Sequence, residues 1–127
     1  MNIRRLAAAT MMLLLATGIA YAKDYKVTKK AGEYNVVVKI DKNPPVVGDN
    51  NTTVEIKDAD GKYVTDAKVV VDYSMPEMAM NYKVDAASKG GEYKAKMNLS
   101  MKGPWHIAVK ITRAGKTSSV EFIVHAK

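Results

Sequence analysis

From Tyr34 to the C-terminus the chain alternates apolar and polar residues with a period of two, and it breaks the pattern at short intervals with Gly, Pro and Asp. This feature constrains the fold most, because side chains two apart share one face of a strand whereas a helix needs a period of 3.6. Tyr34, Val36, Val38 and Ile40 share one face. So do Val54 and Ile56; Val69, Val71 and Tyr73; Tyr93, Ala95, Met97 and Leu99; Trp105, Ile107, Val109 and Ile111; and Val120, Phe122 and Val124. Between them stand Asn43-Pro44-Pro45, Asp58-Ala59-Asp60-Gly61, Ser74-Met75-Pro76, Gly90-Gly91, Gly103-Pro104 and Ala114-Gly115-Lys116. Proline fixes φ and has no donor, and Asp-Gly suits positive φ, so each is a turn signal. About seven strands follow, with turns every ~8–12 residues and no helical stretch. The fold class is all-β: a single immunoglobulin-like antiparallel two-sheet sandwich. Trp105 lies on the apolar side of its strand and is expected between the sheets. Lys23 to Gly32 is read as a loose arm or an edge strand.

The first 22 residues stand apart. Arg4 and Arg5 precede an apolar stretch from Leu6 to Ile19, and Ala20-Tyr21-Ala22 places small residues two apart, as a signal peptidase requires. The expected organisation is a signal peptide over residues 1–22, cleaved after Ala22, and one domain over 23–127. The protein is then periplasmic or secreted, with no stable membrane insertion after cleavage. The alternative is an uncleaved inner-membrane anchor, since the stretch extended through Ala20-Tyr21-Ala22, Leu6 to Ala22, reaches the lower edge of the roughly 17–25 residues that span a bilayer.

Composition narrows the chemistry. There is no cysteine, which excludes a disulfide scaffold, thiolate metal sites and a cysteine nucleophile. The two histidines, His106 and His125, alternate outward and neighbour no Gly-x-Ser-x-Gly or His-Glu pair, so no enzyme activity is expected. Asp58 and Asp60 lack the downstream glutamate of a calcium loop and read as a turn. The net charge of +7 is spread, and no basic run, Lys29-Lys30 included, exceeds two residues. No nucleic-acid partner is expected, because such a domain concentrates its Lys and Arg.

The methionines are unevenly placed. Five of the eight, Met75, Met78, Met80, Met97 and Met101, fall within one 27-residue window, and the other three lie in the signal segment. Thioethers are soft, neutral ligands that suit Cu(I) or Ag(I) and need no deprotonation. In extended backbone Met78 and Met80 would place two sulfurs on one side, about 6–7 Å apart. Met75, before the proline bend, would close the site, with Met101 and His106 as supporting ligands. Methionine is also a flexible core filler, and Met97, in line with Tyr93 and Leu99, is expected in the core. Two functions follow: an exported Cu(I) or Ag(I) carrier or accessory using a Met-rich loop, and a structural or protein-interaction module without metal.

The segment from Asp66 to Val109 resembles the YtkA-like / FixH-like family of exported immunoglobulin-like domains. The residues that carry it are Asp66-Ala67-Lys68-Val69, Met75-Pro76-Glu77-Met78-Ala79-Met80, Gly91-Glu92-Tyr93, Leu99-Ser100-Met101 and Gly103-Pro104-Trp105-His106-Ile107. Met75, Met78 and Met80 match the family motif. The resemblance implies a secreted or tethered protein linked to copper handling, with a copper-efflux or oxidase-assembly protein as partner. The chain lacks the clear permanent anchor and the His-rich motif of FixH-type proteins, and Lys23 rather than His would begin the mature form.

Overall fold

The computed structural model describes residues 24–127. The signal segment and its cleavage after Ala22 lie outside them. Nine strands follow in order: β1 (Tyr25–Ala31), β2 (Tyr34–Ile40), β3 (Gly48–Lys57), β4 (Lys68–Met75), β5 (Met80–Asp85), β6 (Ala87–Lys89), β7 (Glu92–Leu99), β8 (Gly103–Arg113) and β9 (Lys116–Ala126). They form two antiparallel sheets, ordered β1-β2-β3-β7-β6 and β5-β4-β8-β9. The all-β two-sheet sandwich is as expected, with nine strands in place of about seven. The N-terminal arm is the edge strand β1, paired along its length with β2.

The inner faces carry the apolar residues of the alternation. Val36, Val38, Ile40, Val54, Ile56, Tyr93, Met97 and Leu99 of one sheet meet Val69, Val71, Tyr73, Met75, Trp105, Ile107, Val109, Ile111 and Phe122 of the other. Among the described residues the core runs from Ala31 to Ala126. Trp105 and Met97 are fully buried, as expected. Trp105 packs against Tyr73 and Tyr82, at ring-centroid distances of 6.1 and 6.3 Å.

Two polar contacts close the ends of the core. Tyr93 Oη donates to the Val64 carbonyl at 2.8 Å and accepts from the Ala67 N–H at 3.1 Å, which ties the β3–β4 connection to β7. Asn50 is fully buried, and its amide accepts from Val46 N–H and donates to the carbonyls of Val46 and Gly48. With its partners satisfied, a polar residue can occupy an inward strand position. In the Asp58 turn, one carboxylate oxygen accepts the N–H groups of Asp60 and Lys62, at 2.9 and 3.0 Å. The turn uses that oxygen itself.

Candidate metal centre

β4 and β5 form a hairpin whose connection is a single 3-10 turn, Pro76–Met78. Proline suits the first position of such a turn, where no N–H donor is needed. Ala79 then takes a left-handed conformation, φ 55°, and donates its N–H to the Pro76 carbonyl at 3.0 Å. The turn sets the register, which makes Met75 and Met80 direct cross-strand partners. Directly opposed residues stand with Cβ atoms roughly 4.5–5.5 Å apart on one face. Met75 points inward and is only 3% exposed. Met80 shares that side, is half-buried, and packs against the core.

The β7–β8 connection reaches the same end of the sandwich. The Ser100 hydroxyl donates to Met80 Sδ at 3.6 Å. Met101 is half-buried against the core, and its carbonyl accepts the Trp105 indole N–H at 2.9 Å. Gly103 follows at φ +119°, and a Cβ built on it would sit 3.4 Å from Met75 Cε. Met75, Met80 and Met101 thus lie on the two connections that meet at one sandwich end. Tyr82 follows Met80 two residues on, on the same side of β5, and stacks on Tyr73 at 5.5 Å.

Two of the sequence-predicted ligands stand elsewhere. Met78 lies in the turn itself, 53% exposed, instead of beside Met80 on a strand. The 3-10 turn breaks the extended spacing that would have put both sulfurs on one side. His106 pairs with Ser74 of β4 and Ile123 of β9 and is exposed on the outer face of its sheet. It neighbours Trp105, and adjacent strand residues point to opposite faces, so the sheet separates the imidazole from the buried Met75.

His106 instead borders an open concavity of about 720 Å³ on that outer face, along with Asp72, Ser74, Asn81, Lys110 and Glu121. Lys110 Nζ meets Asp72 Oδ2 at 2.9 Å, and this hydrogen bond and charge hold the ammonium above the usual lysine range. The other oxygen, Asp72 Oδ1, is buried without a partner. Sequence patterning missed this groove, because its lining is drawn from five strands far apart in the chain. Among the described residues no group of three or more His, Cys, Asp or Glu could hold a metal ion.

A YtkA-like family model matches residues 23–110. The chain belongs to the YtkA-like family. No curated protein matches this YtkA-like chain. Among solved structures it is similar to the crystal structure of FetP from a uropathogenic E. coli strain, recombinantly expressed in the E. coli periplasm. The TM-score is 0.56 at 10% identity, over 81% of this chain and 95% of that one. At that identity the likeness shows the sandwich fold alone. No helix of the described residues is long and apolar enough to cross a membrane.

Proposed function

We propose that this YtkA-like protein is an exported, non-enzymatic Cu(I) or Ag(I) carrier, and that Met75, Met80 and Met101 form its thioether set. The observation that carries the reading is the β4–β5 register, which opposes Met75 and Met80 at the sandwich end that also holds Met101. Neutral sulfurs suit a soft monovalent cation, and aromatic faces nearby add cation–π attraction. Met78, exposed on the turn, is the first sulfur an arriving ion meets. Thioethers bring no negative charge to the ion, so they hold it less firmly than thiolates do. That suits hand-over to a copper-efflux or oxidase-assembly partner. The periplasm is the proposed location. It is consistent with the basic-then-apolar N-terminal segment and with the periplasmic expression of FetP, a protein of similar fold.

The test is a Cu(I) competition titration of the chain from Asp24 onward. Leucine keeps volume and apolarity, so Met80→Leu/Met101→Leu is expected to stay folded and to lose most of the affinity. Met78→Leu should weaken capture less, and His106→Ala should leave binding unchanged. If the parent does not bind, or the folded double variant binds equally, the carrier reading fails. The protein is then an interaction module, with the exposed Met78 and Tyr82 beside the β5 edge as its contact patch.

A further inference from the structure

The registers of the five-stranded sheet collect the charge that looks scattered in the sequence. Lys26, Lys39, Thr53 and Lys94 are successive cross-strand partners on β1, β2, β3 and β7. With strands about 4.8 Å apart, this row runs roughly 14 Å across the outer face. A further row, four residues along, sets Lys30 beside Asn35 and Lys57. Lys89 on β6 and Lys96 on β7 extend the same face.

Seven strand lysines therefore stand on this face against three strand carboxylates, Asp49, Glu55 and Glu92, a surplus of four. Each of those carboxylates is already engaged: Glu55 by Lys39 at 3.5 Å, Glu92 by Lys94 at 3.6 Å and Asp49 by Lys96 at 4.0 Å. Among the described residues Lys26, Lys30 and Lys89 meet no carboxylate within ion-pair distance. The outer face of the other sheet is balanced, with Lys68, Lys83 and Lys110 set against Asp72, Asp85 and Glu121.

We infer that the outer face of the β1-β2-β3-β7-β6 sheet docks electrostatically on an anionic phospholipid surface. The charge complements a field of lipid phosphates, and clusters of four to eight Lys or Arg are attracted to such surfaces. The face also offers little of what a protein partner would use. Interfaces between proteins are anchored by buried aromatic and large apolar side chains. Here the strands present only the half-buried Val37 as a large apolar side chain, and the aromatic Tyr63 at the margin is 53% exposed with Lys57 Nζ over its ring at 5.0 Å. A fluid polyanionic surface needs charge density and no anchor. The opposite sheet and the methionine end would remain free. This inference rests on the proposed export and not on the metal reading, and vesicle binding is measured without either.

The experiment is co-sedimentation of the chain from Asp24 onward with vesicles of equal parts phosphatidylglycerol and phosphatidylcholine, and with pure phosphatidylcholine. Binding is expected only to the anionic vesicles. It should fall steeply with salt, since screening acts within about 10 Å at 0.1 M. Lys26→Glu/Lys30→Glu/Lys89→Glu breaks no ion pair and should lower partitioning at least tenfold. Lys26→Gln/Lys30→Gln/Lys89→Gln should lower it less, and serves as the milder variant if the charge reversal impairs folding. Lys68→Glu/Lys83→Glu/Lys116→Glu changes the net charge equally on the other sheet and its hairpin, and should bind like the parent. Absence of binding to anionic vesicles, or an equal loss in this second set, overturns the inference. So does capture by polyglutamate without vesicle binding, which would assign the face to an acidic protein.

Discussion

The indole N–H of Trp105 donates to the carbonyl oxygen of Met101 at 2.9 Å, across the Gly103 turn. The largest core side chain thereby fixes the connection that carries one of the candidate ligands. Trp105→Phe keeps an aromatic ring in the core but leaves the Met101 carbonyl without this donor. An unsatisfied buried acceptor costs about 1–3 kcal/mol, and the smaller ring adds a cavity. Lower thermal stability is expected together with weaker Cu(I) binding, measured by scanning calorimetry and competition titration. An unchanged affinity in a destabilised variant would detach Met101 from the metal set.

Gly103 holds a strained backbone position beside Met75. Its φ of +119° lies where residues with a Cβ are strained, and an added methyl group would sit 3.4 Å from Met75 Cε. Gly103→Ala is expected to cost about 1–3 kcal/mol, read from urea denaturation. Gly61 also has positive φ, at +82°. That lies nearer the left-handed region around +57° that residues with a Cβ can adopt, so Gly61→Ala should cost less. Equal losses at the two sites would mean that the larger φ of Gly103 adds no strain.

At Asp41, burial alone would push the carboxyl up. The Asn51 side-chain amide and backbone N–H, each at 2.9 Å, hold it below the usual carboxylate range instead. A carboxyl lowered in the folded state adds stability above its unfolded pKa, ordinarily about 3.9, and loses it as pH falls through the folded value. Asn51→Ala removes the amide donor. The difference in urea midpoint between parent and variant is expected to be full near neutrality and to shrink as the solution is acidified below the ordinary carboxylate pKa. A constant difference at all pH values would assign the Asn51 effect to strand pairing and not to the carboxylate.

The alternation made both inner faces legible from the chain alone, because apolar residues two apart survive wherever a strand has one wet side. Three segments escaped it, the three-residue, fully exposed β6 among them. β3 begins at Gly48, ahead of the Val54–Ile56 pattern, and its inward residues Asn50 and Thr52 are polar; nothing apolar marks the period there. β5 lies at a sheet edge with most of its residues exposed, so its pattern is weak. The methionine window was visible, but which sulfurs meet was not. That depends on the 3-10 turn and the left-handed Ala79, which oppose Met80 to Met75 and leave Met78 outside. The outward parity of His106 was readable, and it is what separates the imidazole from the inner-face sulfurs. The lysines hid for the opposite reason: strand pairing, not sequence adjacency, brings Lys26, Lys39 and Lys94 into one row.

The separation of His106 from the thioethers has a consequence for pH. A histidine ligand must lose its proton before it binds, so a site that uses one weakens as pH falls through the ordinary histidine range near ~6.5. A thioether has no proton to lose. With Met75 and Met80 on the inner side of β4 and β5, and His106 exposed on the outer face, the proposed set contains no group that titrates between mild acid and neutrality. Cu(I) affinity, measured against a competitor corrected for its own protonation, should stay flat over that interval. His106→Ala should give the same curve. A fall on acidification that His106→Ala abolishes would place the imidazole on the metal and move the site to the outer groove of Asp72, Ser74 and Asn81. A fall that persists in His106→Ala but disappears in His125→Ala would point instead to the C-terminal strand, where His125 pairs with Pro104 beside the Gly103 turn.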